Sequence, residues 1–471
     1  MSNPKISIIM PSLNVKKFIE ECIESVINQT LKDIEIICID AGSSDGTLEV
    51  LKKYSKKDSR INLIQTDKKS YGYQVNLGID KANGEYIGIV ETDDFIDKKM
   101  YETLYDLTDN GSTDVSKVNF YHYYDSDPDD ISYRVDVLKE DLPKGKFTIY
   151  EHPNIIKGHP SIWAAIYKKS FLKENNIRFM EVPGGGWVDN PFLFETFICA
   201  KSITYSEKPF YYYREQNPDS STNSLSDLTL PLRRVLDIFE VLDKYSCYYR
   251  NVLSAFYIRV FWHVYDLSRN YDLGDQKDEV LSYFSQVLKR LDETIVLTDF
   301  KKGNQRRYYK YLNDDSNFKN TITSTNWIIE NALDSGESEE NKYNLFNTKV
   351  DAISMRYSYI EDVYKKDAYD AMKEDFYSIW NHECYDDFIS NISLKNSEFF
   401  KMVVESPSFE AFDLSYGNLK LTKNNKKLNR DIKKIKADIK DAKKIKKDIL
   451  NSRSWKVTKP LRSIRKHNRK D

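Results

Sequence analysis

The first third of the chain alternates two hydrophobic patterns. Short apolar runs at residues 5–10, 34–40, 61–64 and 86–90 have the length and β-branched content of buried strands. Between them apolar positions recur at helical spacing, as in Phe18, Ile19, Cys22, Ile23, Val26 and Ile27. Further helices are expected near 47–56 and 74–82. Strands alternating with helices of this length predict a mostly parallel sheet with right-handed crossovers. Pro11 to Asn14 reads as a turn, and Asn83-Gly84 marks the tight turn that feeds the strand ending at Val90.

The pattern then loosens. Residues 111–225 contain an expected strand at 115–124, an acidic loop at 125–130, an apolar run at 162–167, a glycine-rich turn at 183–189 and an aromatic block at 210–222. From about 228 to 415 the pattern is helical and rich in Tyr and Phe, which reads as core; no function is read from it. Near the C-terminus Leu428, Ile432, Ile435, Ile439, Ala442 and Ile449 form a narrow apolar stripe with Lys on the other faces. That stripe suits either a partner helix or an interfacial helix. The expected organisation is 1–110 and 111–225 as two halves of one α/β domain, 226–420 as a helical domain, and 421–471 as a basic tail.

Composition changes this picture in one respect. The 471 residues, 40% hydrophobic and 31% charged, describe a globular chain. Neither a transmembrane run nor a leader is indicated, and five widely spaced cysteines (Cys22, Cys38, Cys199, Cys247 and Cys384) suggest reduced thiols in a cytoplasmic protein. The net charge of −2 hides a split: residues 421–471 hold 20 Lys/Arg and 5 Asp, so they carry +15 and the rest carries −17. A basic tail on an acidic body suggests contact with an anionic surface. The Trp455 segment among cations favours a membrane surface over nucleic acid.

Candidate chemistry lies at two strand ends. The run Tyr86–Val90 passes directly into Glu91, Asp93 and Asp94, and the strand 34–40 ends on Asp40 before a Gly/Ser turn. Carboxylates at the carboxyl ends of parallel strands sit where open α/β sheets bind ligands. Clustered acids repel and raise one another's pKa, and a divalent Mg2+ or Mn2+ is the usual relief. Acids after strands also have a plain reading as helix N-caps, and Asp94 or Asp97 could cap the helix near Lys98.

Five blocks in order carry a resemblance: ISIIMPSLN (6–14), IDAGSSDGT (39–47), YGYQVNLG with ANGEYI (71–87), VETDD (90–94) and WVDNPF (187–192). Residues 5–225 resemble a family 2 glycosyltransferase, an inverting enzyme of GT-A fold. The block 158–171, Tyr213-Arg214 and Ser220-Ser221 resemble a branch associated with surface polysaccharide. Residues 230–420 fall outside the resemblance.

The resemblance implies roles. Pro11 and Asn14 would line the nucleotide pocket, and Asp40 would accept a hydrogen bond from a uracil imide. Among Glu91, Asp93 and Asp94, one acid would hold the ribose and another a divalent metal on the diphosphate. Asp189 would be the general base, with an N-cap role as its plain alternative. Trp163 and Trp187 are candidate platforms for an acceptor sugar, with packing in the core as the equal alternative for each. Arg214 is a candidate contact of the diphosphate, with a surface ion pair as its plain alternative. The chain departs from the family pattern at Glu91 for Asp, at Val75 for Arg, where Gln74 is the candidate to compensate, and at Val188 for Glu. The implied partners are a nucleotide-sugar donor, probed first as a UDP-sugar, and a glycan or lipid-linked glycan acceptor at the inner membrane face. No nucleic acid partner is expected, and the oligomeric state is open. The rival reading is a non-catalytic sugar-nucleotide-binding or glycan-binding protein tethered by its tail.

Overall fold

A computed structural model describes residues 4–124, 132–135, 142–215, 217, 225–312, 339–360, 362–380 and 390–419, with Leu421, Arg430 and Lys433. The acidic loop 125–130, Ser220, Ser221, Cys384 and the apolar stripe of the tail lie outside the described residues.

The continuous apolar runs form the central strands, because a strand covered on both faces has no polar side. Strands β1 (Ile6–Ser12), β2 (Ile34–Asp40), β3 (Ile61–Gln65) and β4 (Tyr86–Ile89) are parallel, and every residue of β1 is buried. Helices α1 (Lys16–Ile27), α2 (Thr47–Ser55) and α3 (Tyr71–Lys81) connect them. The sheet continues through β5 (Phe95–Ile96), α4 (Met100–Asp106), β6 (Val115–Tyr124), β7 (Ser132–Val135) and β8 (Ala165–Lys168). After α5 (Lys169–Glu174) and α6 (Asp189–Cys199), β9 (Ile203–Arg214) completes it. The order across the sheet is β3-β2-β1-β4-β8-β6-β9-β5, with β7 on β6. β8 runs antiparallel to both its neighbours, and β6 pairs parallel with β9.

Pro11, expected in a turn, instead belongs to β1, where it stands opposite Ile39. β4 pairs only with Ile6 to Ile9, so the amide hydrogen that proline lacks is not needed on that side. The turn comes later, at Asn14, whose φ is 55°. The order of winding reverses at β1: the chain runs outward from β1 through β2 to β3 and then returns to β4 on the other side of β1, which leaves a crevice at the carboxyl ends of these parallel strands. Ser12, Asp40 and the acids after β4 all lie at that edge.

Helices α7 (Leu230–Lys244), α8 (Arg250–Asn270), α9 (Lys277–Lys289), α10 (Glu293–Asp299) and α11 (Lys302–Leu312) follow. The chain divides into compact units at Met1–Asp314 and Asp315–Asp471. The expected break at 226 is therefore displaced: α7 packs on α6, and α8 packs on the short turn Pro153–Ile156. Apolar faces of these helices, with Leu232, Val235, Phe256 and Val260 buried, complete the core of the first unit. The second unit contains α12 (Glu339–Tyr357), α13 (Lys365–Trp380) and α14 (Leu394–Glu405) around its own aromatic core, including Tyr357, Phe376, Phe400 and Phe412.

Candidate active site

The carboxyl ends of β1 and β2 are tied into one floor. Gln74 on α3 accepts the Ser12 amide at 3.0 Å, and Ala41 donates its amide to Ser12 O at 3.0 Å. Asn14 bridges to the loop after β2, donating its amide to Ser43 Oγ and accepting the Ser44 amide, both at 2.9 Å. Asp40 Oδ1 accepts the amides of Gly42 (3.1 Å) and Ser43 (3.0 Å). Its other oxygen, Oδ2, is buried and has no hydrogen-bond partner among the described residues. A carboxylate oxygen in that state is an acceptor in want of a donor.

After β4 the acids sit in a braced turn. Asp94 is buried; Tyr211 Oη donates to its Oδ2 and the Arg214 amide to its Oδ1, each at 2.8 Å. Tyr211 Oη also accepts the Glu91 amide at 3.1 Å, so one phenol joins both ends of the turn. Arg214 Nε donates to Asp93 O at 2.9 Å while its Nη2 pairs with Glu21 at 2.8 Å. Its guanidinium lies over Phe18. Arg214 therefore binds protein at each of these atoms, which explains its position better than the expected diphosphate contact. Asp97, not Asp94, accepts the amide of Lys99 ahead of α4.

Burial, opposed by a hydrogen bond from Tyr71, pushes the Glu91 carboxyl up to about 8, and Asp93 and Asp189 add to the rise. Burial and the neighbouring Asp93 also hold Asp94 well above the ordinary range. Asp93 Oδ2 accepts Asn217 Nδ2 at 2.8 Å, and the residue is half-buried, as is Glu91. Among the described residues no three His, Cys, Asp or Glu side chains are grouped to hold a metal unaided. The expected trio is thus narrowed by its hydrogen bonds. Asp94 has both oxygens engaged, while Glu91 and Asp93 have one oxygen each engaged, by Tyr71 and Asn217, so these two are the candidates to hold a metal or the ribose. Mg2+ and Mn2+ sites that use one or two carboxylates plus substrate phosphates need no more.

Asp189 opens α6, whose N-cap is Val188 with no side-chain cap bond. Asp189 is thus the first helical residue rather than the N-cap, and its carboxylate also meets the first-turn amides of Asp189 and Asn190. Its Oδ1 accepts Asn190 Nδ2 at 3.1 Å, and burial raises its pKa against the opposing pull of Arg259 on α8. The loop before α6 meets the β4 turn through Tyr71, whose amide donates to Gly184 O at 3.0 Å and whose hydroxyl donates to Glu91 at 2.5 Å. The Asp189 carboxylate helps to raise the pKa of both Glu91 and Tyr71. The two tryptophans separate. Trp163 is 4% exposed and stacks on Tyr211 with ring centroids 3.9 Å apart, so no ring face is left for a sugar and its acceptor role is withdrawn. Trp187, half-buried with φ of 53°, sits immediately before the site with its ring 6.0 Å from His263.

Sequence reasoning missed Tyr71, Tyr211, Asn217 and Arg259. Tyr71 and Tyr211 lay within blocks already singled out. Arg259 carried no local signal, because its partners are 69 to 103 positions away in sequence.

This arrangement matches a known class. A family model described as "Glycosyl transferase family 2" matches residues 7–175. Glycosyltransferase GlyG of Streptococcus pneumoniae is 30% identical over 246 residues, which is 51% of this chain and 78% of GlyG. EpsJ of Bacillus subtilis, described as an uncharacterized glycosyltransferase, is 32% identical over 228 residues, 46% of this chain and 63% of EpsJ. The chain thus spans less than two thirds of EpsJ. The crystal structure of S. aureus TarS residues 1–349 superposes with a TM-score of 0.50 at 20% identity, over 71% of this chain and 93% of that one, a likeness of fold. The chain belongs to glycosyltransferase family 2 and carries its GT-A fold.

Proposed function

We propose that this protein transfers a sugar from a nucleotide-diphosphate donor, a UDP-sugar, to a hydroxyl of a glycan or lipid-linked glycan used in surface polysaccharide, with inversion at the anomeric carbon. The observation that carries this reading is the concentration of Glu91, Asp93, Asp94 and Asp189 around one crevice, where burial drives the Glu91 carboxyl up to about 8. Such a site is suited to a ligand that brings positive charge and hydrogen-bond donors.

Residues at the ends of β1 and β2 would receive the nucleoside. The unpartnered Asp40 Oδ2 is an acceptor for an imide N–H, the feature that distinguishes uracil, with Pro11, Asn14 and Gln74 shaping the floor. Asp93 would hold Mg2+ or Mn2+ together with the diphosphate's own oxygens; when bound, the cation offsets the charge that builds on the leaving diphosphate. Glu91, fixed by Tyr71 at 2.5 Å, would hold the ribose. Tyr211 and Arg214 keep the turn rigid, so that Asp93 loses little freedom when it binds.

Asp189 would act on the opposite side of the donor. Its carboxylate takes the proton from the acceptor hydroxyl as that oxygen forms a bond to the anomeric carbon. The bond from that carbon to the diphosphate oxygen breaks, its electron pair leaves with the diphosphate, and the configuration inverts. A carboxylate whose pKa burial has raised is a stronger base than an exposed one. Trp187, beside the base, is the remaining candidate to pack against the acceptor.

Two variants test the reading. Asp93→Asn should weaken UDP binding in the presence of Mn2+ by tenfold or more in calorimetry. Asp189→Asn should keep that binding and lower transfer by ~10²–10⁴-fold. UDP affinity that ignores Asp93, or transfer that ignores Asp189, would remove the corresponding assignment.

A further inference from the structure

Arg259 lies in the middle of α8, is 8% exposed, and has Asp189 as a neighbouring charge with no direct ion pair to it among the described residues. A guanidinium is costly to bury without a carboxylate partner. Its bonds show what holds it: Nη1 donates to Ile156 O at 3.1 Å and Gly158 O at 2.7 Å, and Nη2 donates to Asn190 Oδ1. Asn190, itself buried, uses its amide nitrogen to donate to Asp189 Oδ1 at 3.1 Å.

The chemistry of the primary amide makes this chain directional. One end of the Asn190 side chain only accepts and the other only donates. Because Arg259 can only donate, it fixes the amide oxygen toward α8 and so turns the NH2 toward the Asp189 carboxylate. Released from Arg259, the amide is free to flip and would present its oxygen to another oxygen. We propose that Arg259 is a positioning residue for the reaction: acting through Asn190, it fixes the orientation of the Asp189 carboxylate toward the acceptor hydroxyl. The inference rests on the reading of Asp189 as the base. It gives the helices after residue 226 a part in the chemistry that neither the resemblance nor the family match at 7–175 covers.

The setting supports the assignment. Asp189 is faced by Arg259 and Arg234 on α8 and α7, by Glu91 after β4, by Tyr71 on α3 and by Tyr167 on β8. Burial keeps both phenols protonated far above neutral pH. His263, one turn along α8, is pushed down to about 3 by burial and by Arg259, so it adds no competing charge at neutral pH. Arg259 is the cation that opposes the rise in the Asp189 pKa.

The test is steady-state release of UDP from UDP-glucose, UDP-galactose or UDP-N-acetylglucosamine, using the hexose that the full-length wild type turns over, measured across pH. Arg259→Gln is expected to lower kcat by ~10–100-fold, in line with the loss from small misplacements of a reacting group, with donor KM and the Kd for UDP unchanged. Its acid limb should move to higher pH. Arg259→Lys keeps the charge and should hold the limb near its wild-type position. Asn190→Ala leaves Arg259 its carbonyl partners, and should reproduce the loss of kcat even where Arg259→Gln folds poorly. In an Asp189→Asn background, Arg259→Gln should cost nothing further, since both act through one group. An equal loss from Arg259→Gln in both backgrounds, or an Asn190→Ala enzyme of wild-type kcat, overturns the positioning role. Full turnover by Asp189→Asn alone overturns the base assignment instead.

Discussion

At the scale of single residues the site is a balance between carboxylates and the phenols that brace them. Tyr211 is fully buried and its hydroxyl serves Glu91 and Asp94 at once. Tyr211→Phe should destabilise the fold by about 1–3 kcal/mol, the usual cost of leaving buried polar groups unmatched; an unchanged denaturant midpoint would contradict the bracing role. Glu91 gives a pH signature. Its folded-state pKa is raised to about 8 from the ordinary 4.5, so the folded protein binds a proton that the unfolded chain releases. The stability it contributes is fullest below pH 4.5 and is lost as pH rises toward 8. Metal-free protein should therefore lose stability across that window, and Glu91→Gln should flatten the slope in a series of melts. At this scale the acids were legible, because carboxylates at strand ends are unusual enough to stand out. Their partners were not: Tyr71, Tyr211 and Asn217 approach from 20 to 124 positions away in sequence. For Trp163 the core alternative proved the right one; the sequence left both readings open, since a ring that lines a pocket and one that fills a core look alike there.

At the scale of elements, the apolar runs gave the parallel strands and the 3.6-residue stripes gave the helices between them, with β6 expected over the residues it occupies. The inversion of β8 and the two-residue β5 were not visible, because neither direction nor edge pairing is written in so short a segment. The aromatic helices after 228 were read rightly as core, while their membership of the first unit was hidden: the surfaces they cover, on α6 and near Ile156, belong to distant sequence. Element packing is tightest where α3 begins. A Cβ on Gly72 would stand 2.0 Å from Met180 O, a backbone atom with no rotamer to change. Gly72→Ala should cost about 1–3 kcal/mol through overpacking, read as a lower melting temperature, and should disturb the Tyr71 contact to Glu91. A variant with the wild-type melting temperature would show that the approach of this segment to α3 is looser than described.

At the scale of the whole molecule, the charge split remains the feature least explained by the fold. Among the described residues no helix is long and apolar enough to cross a membrane. Separately, the +15 carried by 421–471 is the ground on which we propose that the tail brings the protein to the inner face of an anionic membrane, where each basic residue close to the surface contributes about 1 kcal/mol. Removing 421–471 should abolish sedimentation with phosphatidylglycerol vesicles and leave turnover of a soluble acceptor intact; vesicle binding that survives the deletion rejects the tail as anchor. The central claim, however, is the nucleotide site on the sheet. The most direct test is the thermal stability of the full chain with UDP and UDP-sugars, each with and without Mn2+. Stabilisation by a UDP-sugar beyond that given by UDP, dependent on Mn2+ and lost in Asp93→Asn, is the predicted result. No shift with any nucleotide in the presence of metal would contradict the site, and would leave Asp40, Glu91 and Asp93 as parts of the fold alone.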